Sequence, residues 1–402
     1  MTVGFGALGP AGGYVNGIWT SVTVCVPGST TNCQTIDDVL VDTGSIGVRI
    51  LDSALTTVPA SSLGAISVDG SQLQECVQYG DTSYTWGPMM SADVELAGEK
   101  ASSVPIQVIG GNSFDVPGTC ITTPIAPTLP NGGNDDTLEA LGGNGILGIE
   151  GYPWDCGPDC GLVQTPPGVA TGPYYICPSG ECGQVAVSTT QQATNPVAAF
   201  SSADNNGVLI TLPSVPAGGA ADGTISGSLI FGIGTQSNNA LASTAKVYGL
   251  DTYGNIPEAT YNSVQYTSPS NMIILDTGSN EFYFLDAKTL APVEIVDCAD
   301  DADYYCPSSA VSFTVTLSGA NSTSGTISFS IANADTLIAS GNSAFDNLGG
   351  SGGTSPSTDN LDFGLPFFFG RSVYVGMTPG VFKGESAPPS AASNATYGYY
   401  AF

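Results

Sequence analysis

The stretch Val41-Asp42-Thr43-Gly44-Ser45 occurs a second time, with Leu in place of Val, as Leu275-Asp276-Thr277-Gly278-Ser279. Each copy follows an apolar run rich in β-branched residues and leads into a second apolar run. An Asp in that setting stands where a strand ends inside an apolar layer, so it meets little water and its pKa is open to large shifts. One copy is typical of an ordinary turn, since Asp, Gly and Ser are turn residues. Two copies in the same frame predict a duplicated half with one acidic site in each.

Length and composition favour two β-rich domains. The 402 residues are too many for one small core and suit two domains or two lobes. The 53 Gly and 27 Pro are scattered, which is typical of many short strands joined by turns. We therefore expect an all-β protein with one lobe at 1–236 and a second at 237–402. The boundary is placed just after the Gly-rich strand at 227–234.

The charge balance and the lack of His exclude several classes of function. Six Lys and Arg stand against 35 Asp and Glu, a net charge of −29. Such a surface repels phosphate backbones and anionic membranes, so nucleic acid is not an expected partner. Without His, Ser-His-Asp, Cys-His and His-ligated zinc chemistry are excluded. Tolerance of low pH is one hypothesis for the acidic surface, and solubility alone explains it equally well.

The ten Cys indicate an oxidising compartment. Cys25 and Cys33 flank a short polar loop, as do Cys298 and Cys306, and such loops are often closed by disulfides in exported proteins. We therefore expect a secreted, periplasmic or cell-surface protein. Four of the remaining Cys allow a zinc site in principle, although their spacing favours disulfides. The pairing stays open for Cys76, Cys120, Cys156, Cys160, Cys177 and Cys182.

The chain shows no targeting or membrane-spanning segment. Met1–Phe5 lacks the basic and apolar regions of a signal peptide, which indicates a mature form or a chain with an added Met. No apolar run approaches the roughly 18 residues that span a bilayer. We expect no membrane insertion. The Gly/Ser/Thr-rich stretch 349–360 is expected to be mobile, and the tail at 386–401 is mostly small and polar.

Two further motifs accompany the repeated loop. Residues 74–97 predict a hairpin with a polar, Gly-containing tip at Tyr79-Gly80-Asp81. Residues 145–149 carry an apolar-apolar-Gly element, and Phe363-Gly364 occupies the corresponding place after the second loop. A Gly there lets one backbone pass closely beneath another, which a Cβ would block.

Together these motifs resemble the pepsin-like aspartic proteases, in which each lobe supplies one Asp-Thr-Gly-Ser/Thr loop. The likeness covers the two-lobe framework and is to an uncharacterised bacterial branch of that family. It implies a bilobal fold with duplicated lobes and a cleft between them, and it makes Asp42 and Asp276 the catalytic pair. The resemblance implies that the hydroxyls of Thr43 and Thr277 bond to the opposite loop and that the N–H groups of Gly44 and Gly278 face the carboxylates. Ser45 and Ser279 bond the outer carboxylate oxygens or are plain turn serines.

The resemblance also assigns the hairpin tip. Tyr79 corresponds to the Tyr of the flap, a hairpin that closes over the substrate, with Gly80 and Asp81 beside it. An ordinary surface hairpin with a core Tyr is the alternative. Where pepsins commonly place a Trp that supports the flap Tyr, this chain has Arg49, so the flap support differs, or Arg49 simply pairs with an acid. Residues 150–200, rich in Pro, Gly and Cys, are expected to be an insertion in the first lobe.

These observations lead to an exported aspartic endopeptidase that cleaves extended polypeptide at acid pH. Two adjacent carboxyls cannot both ionise readily, so they share one proton. Such a pair activates a water, as in the aspartic-protease dyad. We expect no cofactor, no metal and a monomer. One alternative is a catalytically silent binding or surface protein of the same fold, although such proteins typically lose an Asp or its Gly. A glycosidase that uses the same two acids is another alternative.

Overall fold

The computed structural model describes residues 1–12, 14–111, 114–121, 133–161, 163–164, 169–170, 172–353, 359–377 and 397–402. Part of the stretch at 349–360 that was expected to be mobile lies outside these residues, as does most of the small-residue tail at 386–401. Among the described residues strands dominate and helices are short, so the expectation of an all-β protein is confirmed.

The strands up to residue 231 are numbered here in chain order. They are β1 (Thr2–Gly4), β2 (Gly17–Cys25), β3 (Cys33–Asp42), β4 (Ile46–Leu51), β5 (Gly64–Ala65), β6 (Ser67–Val68), β7 (Ser71–Gln78), β8 (Tyr84–Leu96), β9 (Glu99–Ile109), β10 (Gly145–Ile149), β11 (Val163–Gln164), β12 (Val169–Ala170), β13 (Tyr174–Ile176), β14 (Gly183–Gln184), β15 (Gly207–Thr211), β16 (Ile225–Ser226) and β17 (Ser228–Phe231).

The remaining strands follow the same numbering. They are β18 (Val247–Gly249), β19 (Glu258–Tyr261), β20 (Val264–Thr267), β21 (Ile273–Leu275), β22 (Phe282–Phe284), β23 (Val311–Ser318), β24 (Ser324–Ile331), β25 (Gly349–Gly350), β26 (Leu361–Phe363), β27 (Ser372–Gly376) and β28 (Tyr399–Ala401). The α-helices are α1 (Gly118–Ile121), α2 (Leu138–Leu141), α3 (Ala334–Ile338) and α4 (Leu365–Phe368). Short 3-10 helices lie at Gly6–Ala11, Asp52–Ala54, Ala60–Ser62, Gly157–Gly161, Thr189–Gln191 and Pro196–Ala199.

A closed sheet forms the centre of the first half. Its strands follow the order β8-β9-β4-β10-β3-β2, and β2 also pairs with β8, which closes the ring. β4 lies between β10 and β9, and all six of its residues are buried, as is typical of a strand covered on both faces. The core of this half is built mainly from β-branched residues of these strands. In this closed sheet β3, the strand that ends at Asp42, pairs with β2 on one side and with β10 on the other.

The second half contains two four-stranded sheets, β20-β19-β23-β24 and β21-β26-β22-β25. Buried and exposed side chains alternate along β23, as the sequence pattern predicts. Phe rings from β22, β23, β24 and β26 pack against one another with centroids 4.5 to 6.4 Å apart. This aromatic layer supports β21, the strand that leads to Asp276.

A five-stranded sheet joins the two halves. Its order is β17-β15-β27-β28-β18, so strands from before and after residue 236 lie side by side. The expected boundary at 236 falls between β17 and β18. The division into 1–236 and 237–402 stays a prediction.

The same strand crossing occurs in both halves. β10 pairs parallel with β3 and antiparallel with β4, and β26 pairs parallel with β21 and antiparallel with β22. A Cβ built on Gly148 would lie 2.8 Å from backbone atoms of Ile46. A Cβ on Gly364 would lie 2.1 Å from the carbonyl oxygen of Glu281. Each Gly therefore lets a strand pass behind the loop that carries the Asp.

Five disulfides join all ten Cys. Cys25–Cys33 and Cys298–Cys306 close the two polar loops, as the sequence predicts. The other bonds are Cys76–Cys120, Cys156–Cys160 and Cys177–Cys182. With no free thiol among them, the alternative of a zinc site on these Cys is wrong. This disulfide content is typical of proteins that fold in an oxidising compartment.

Among the described residues, no helix has the length and apolar character that crossing a bilayer requires.

Replacing Gly364 by Ala is expected to lower the free energy of unfolding by about 3 kcal/mol, because the new Cβ meets backbone atoms that cannot move aside. Chemical denaturation measures this change. The matched control is Gly183→Ala on exposed β14, where a Cβ meets no atom within 4 Å and the expected change stays within about 0.5 kcal/mol. Equal effects of the two substitutions would contradict the close crossing.

Candidate active site

The two Asp of the repeated loops meet between the two halves of the molecule. Asp42 is the last residue of β3, and Asp276 directly follows β21. Their side chains lie within hydrogen-bonding reach of each other. Asp42 is 6% exposed and Asp276 is 9% exposed, so the pair keeps only a narrow contact with solvent. The sequence expectation that these carboxyls come together matches this geometry.

Reciprocal hydrogen bonds between the two Thr lock the loops together. The backbone N–H of Thr43 donates to Oγ1 of Thr277 at 3.1 Å, and the N–H of Thr277 donates to Oγ1 of Thr43 at 3.0 Å. Each hydroxyl then donates across the interface, to the carbonyl of Leu275 at 2.9 Å and of Val41 at 2.7 Å. Both Thr are fully buried. Four buried bonds thus fix the relative position of the two Asp.

Each carboxyl receives two further bonds from its own loop. The N–H of Gly44 donates to Oδ1 of Asp42 at 2.7 Å, and the Ser45 hydroxyl donates to Oδ2. In the second loop the N–H of Gly278 and the hydroxyl of Ser279 contact Asp276 at 2.7 and 2.8 Å. Both Ser hydroxyls therefore bond the Oδ2 atoms of the carboxyls rather than acting as plain turn residues.

Glycine is required at the third position of both loops by close approach. A Cβ on Gly44 would lie 2.6 Å from the carboxyl of Asp276, and a Cβ on Gly278 would lie 2.6 Å from Oδ1 of Asp42. Any side chain at either position would therefore push the two carboxyls apart. The spacing of the pair depends on these two Gly as well as on the Thr bonds.

Burial and neighbouring negative charge favour the protonated form of Asp276. Burial raises the pKa of Asp276 well above its usual range, and the charges of Asp42 and Asp362 raise it further. The Ser279 hydroxyl opposes this shift weakly. The titration belongs to the coupled carboxyls rather than to one residue. A pair that keeps one proton has both an acid and a base within one site.

A third carboxyl, which sequence analysis did not single out, adjoins the pair. Asp362 lies in β26, is 6% exposed, and its Oδ2 lies 2.7 Å from the Ser279 hydroxyl. The same hydroxyl lies 2.8 Å from Asp276 and has a single proton to donate. Burial and the charge of Asp42 raise the pKa of Asp362 to about 7. The Ser279 hydroxyl therefore links the carboxyls of Asp276 and Asp362.

Tyr14, which contacts the second loop, and Glu281, which faces Asp362, were also missed by sequence analysis. The Tyr14 hydroxyl donates to the carbonyl of Gly278 at 2.7 Å and so ties the N-terminal segment to the second loop. Glu281 is 1% exposed, and burial raises its pKa well above the usual range. The detectable signal for Asp362 was a charge inside an apolar run, Leu361-Asp-Phe-Gly-Leu. Tyr14, in a Gly-rich segment, carries no such signal.

The hairpin β7–β8 carries the expected flap residues at its tip. Residues 79–83 form the turn, in which the N–H of Tyr79 donates to the carbonyl of Ser83 and the Asp81 carboxylate accepts from the N–H of Ser83. Gly80 is exposed. The Tyr79 ring is partly exposed, but its hydroxyl oxygen is buried, and this burial raises the pKa of Tyr79. The charge of Asp42 raises that pKa further, so the phenol lies near the pair.

Arg49 lies beneath the flap and pairs with acids. Its guanidinium, 1% exposed, is 3.2 Å from Glu75 and 3.8 Å from Asp155. Its charge also reaches Tyr79 and opposes the rise in that pKa. Both expectations for Arg49 thus hold in part, because it pairs with acids and it stands close to the flap Tyr.

One cluster within the described part of the chain groups three potential metal ligands, Cys298, Cys306 and Asp335. The two sulfurs are bonded to each other, so neither offers a thiolate. This group therefore does not have the donor set of a metal site. Cys25 and Cys33 likewise serve to close a loop.

Comparison with solved structures identifies the fold. The aspartic proteinase from Irpex lacteus matches with a TM-score of 0.50 and 17% sequence identity, over 90% of this chain and 91% of that chain. A likeness at this identity shows the fold alone, and it is the bilobal fold expected from the repeated loops. No curated protein matches the sequence. By sequence, residues 1–393 match the model of a family described as "Protein of unknown function (DUF3443)", and the chain belongs to that family.

Proposed function

We propose that this protein is an aspartic endopeptidase. The observation that carries the proposal is the buried pair Asp42 and Asp276, held within hydrogen-bonding reach of each other by the reciprocal Thr bonds. A silent binding protein would have no need for two intact loops whose Gly and Thr fix the spacing of the carboxyls. The chemistry that such a pair performs is the activation of water for hydrolysis.

The reaction begins with a water bound between the two carboxyls. The ionised member of the pair takes a proton from this water, whose oxygen attacks the scissile carbonyl carbon. The protonated member donates its proton to the carbonyl oxygen, and a neutral gem-diol forms without a covalent enzyme intermediate. In the collapse of the gem-diol, the carboxyl that took the water proton passes it to the amide nitrogen and the C–N bond breaks, while a gem-diol hydroxyl gives its proton to the other carboxylate. A carboxylic acid and an amine leave, and the pair again holds one proton.

The flap completes the proposed site. Tyr79, Gly80 and Asp81 lie at the tip of a hairpin whose backbone groups bind an extended peptide by strand-like hydrogen bonds. A flap over the cleft excludes water from the gem-diol. The substrate class is therefore extended polypeptide, and the five disulfides favour a secreted, periplasmic or cell-surface location for the reaction.

Asp42→Asn and Asp276→Asn are each expected to lower kcat/KM for a denatured protein substrate by about a thousandfold or more, because each removes one acid–base partner. Cleavage is followed from about pH 2 to about pH 7, where the pair exchanges its shared proton. A peptide with a tetrahedral, hydroxyl-bearing carbon at the scissile position should inhibit the wild type. Asp335→Asn, an exposed acid on α3, is the control and should keep full activity. Absence of cleavage by folded wild type at every pH would favour the binding-protein alternative.

Asp362→Asn is expected to move the alkaline limb of the kcat/KM profile to lower pH by roughly one unit. The charge of Asp362 raises the pKa of Asp276, so removing it lets the pair lose its proton earlier. The pH profile of the variant beside wild type and Asp335→Asn measures the shift. An unmoved limb, or a shift to higher pH, would contradict the coupling between Asp362 and the pair.

The buried acids predict greater stability in acid than at neutral pH. The pKa values of Asp276, Glu281 and Asp362 are all raised in the folded state, so the folded chain binds more protons than the unfolded chain. The free energy of unfolding should therefore be greatest near the ordinary carboxyl pKa of about 4 and fall as pH rises through the raised values. Denaturant titrations at about pH 4.5 and about pH 8 test this. A higher stability at the alkaline end would contradict the raised pKa values.

A further inference from the structure

The flap of this protein has an extra strand along its outer edge. β13, from the Cys-rich segment 150–200, pairs antiparallel with β7, and β14 continues the sheet beyond it. The order β14-β13-β7-β8 places the flap hairpin inside a sheet rather than at an edge. Four strands resist bending more than an isolated hairpin does, because β7 bonds on both sides.

Covalent and aromatic contacts hold the same hairpin. A disulfide joins Cys76 in β7 to Cys120 in α1. Trp86 in β8 packs edge-on against Tyr175 in β13, with ring centroids 5.5 Å apart. The Cys-rich segment has its own disulfides, Cys156–Cys160 and Cys177–Cys182, which restrict its motion. The flap therefore packs against a cross-linked segment.

A buried charge cluster joins this segment to β4, the strand that follows the Asp42 loop. Arg49 in β4 pairs with Glu75 in β7 and faces Asp155. The Tyr174 hydroxyl in β13 donates to Asp155 at 2.7 Å and accepts from the N–H of Ala193 at 2.7 Å. It also lies 3.3 Å from Glu75. Three parts of the chain thus meet at one site that is almost closed to water.

The cluster contains two acids and one base, because Glu75 and Asp155 both face Arg49. Arg49 supplies one positive charge, and the carboxyls of Glu75 and Asp155 lie within hydrogen-bonding reach of each other. Burial, followed by the charge of Glu75, raises the pKa of Asp155 well above its usual range. One carboxylate, one protonated carboxyl and one guanidinium give no net charge. A second carboxylate would leave a buried negative charge without a partner.

We propose that the Cys-rich segment is a brace that holds the flap, and that Arg49, Glu75, Asp155 and Tyr174 are positioning residues that set Tyr79 over the catalytic pair. The last step, the placement of Tyr79, rests on the proposed peptidase function. The brace itself does not, because it is a property of the packing.

The brace weakens as the pH rises. Five groups face the cluster from the elements packed around it: Arg49 from β4, Glu75 from β7, Tyr174 from β13, Tyr79 from the flap and Asp155 itself. Asp155 has a raised pKa in the braced state and an ordinary one when the brace opens. The brace is therefore strongest below the ordinary pKa of about 4 and loses stability until the pH passes the raised value.

Amide hydrogen exchange at several pH values tests the brace in the intact protein. Protection factors of β7 and β8 amides in wild type should fall by up to about tenfold per pH unit between the ordinary and raised pKa of Asp155. The amides of the β23–β24 hairpin are the internal reference, because they report the fall in global stability alone, and the flap amides should fall by more. Asp155→Asn, which keeps hydrogen-bonding capacity and cannot ionise, should remove this additional fall, so that its flap amides follow the reference. The control Glu181→Gln removes an exposed acid of the same segment and should behave as wild type.

The outcomes separate the brace from the enzyme. Flap protection that does not change with pH in wild type would overturn the proposal, and that arm needs no substitution. The proposal would also be overturned if the additional fall in flap protection persisted in Asp155→Asn, or if the β23–β24 hairpin lost protection as steeply as the flap. Because exchange is measured without substrate, pH-dependent flap protection in a chain that cleaves nothing would support the brace and refute only the peptidase.

Discussion

Repulsion between two carboxyl groups that cannot move apart is the constraint on which this structure depends. Asp42 and Asp276 are 234 residues apart in the sequence. Four buried hydrogen bonds hold their carboxyls together, and each bond joins Thr43 or Thr277 to the opposite loop. Two adjacent carboxylates in a buried cleft are unfavourable, so the pair keeps a proton. The twin strand crossings, the Gly behind each loop and the shared five-stranded sheet all maintain this arrangement.

The repeated loop predicted most of the fold and the centre of the site, because each part of the motif has a local steric reason. Gly44 and Gly278 are Gly since a Cβ would strike the opposite carboxyl, and such reasons are visible in a short stretch of sequence. Asp362 and Tyr14 were missed because their contacts with Ser279 and Gly278 span 83 and 264 residues. The pairing of Cys76 with Cys120 was left open for the same reason, since the two residues are 44 positions apart and carry no local signal of their contact.

The differences from the resemblance lie in the polar surroundings of the pair. Arg49 lies where pepsin-like aspartic proteases commonly have Trp. Its guanidinium faces two acids from other parts of the chain, Glu75 and Asp155. Asp362 adds a third carboxyl to a site that needs only two. Both changes introduce buried ionisable groups, which are costly unless they are paired or protonated. The shared fold alone does not carry an activity, and these buried groups are where the site departs from the pepsin-like pattern.

We infer that Asp42 and Asp276 together hold one proton. The number of protons that the folded protein binds can be measured directly. Potentiometric titration compares the wild type with the double variant Asp42→Asn/Asp276→Asn, both folded. At about pH 5.5, where isolated carboxyls are almost fully ionised, the wild type should bind about one proton more than the double variant. Equal proton binding by the two proteins at that pH would mean that the pair is fully ionised, and would contradict the account of the site as a joint acid and base.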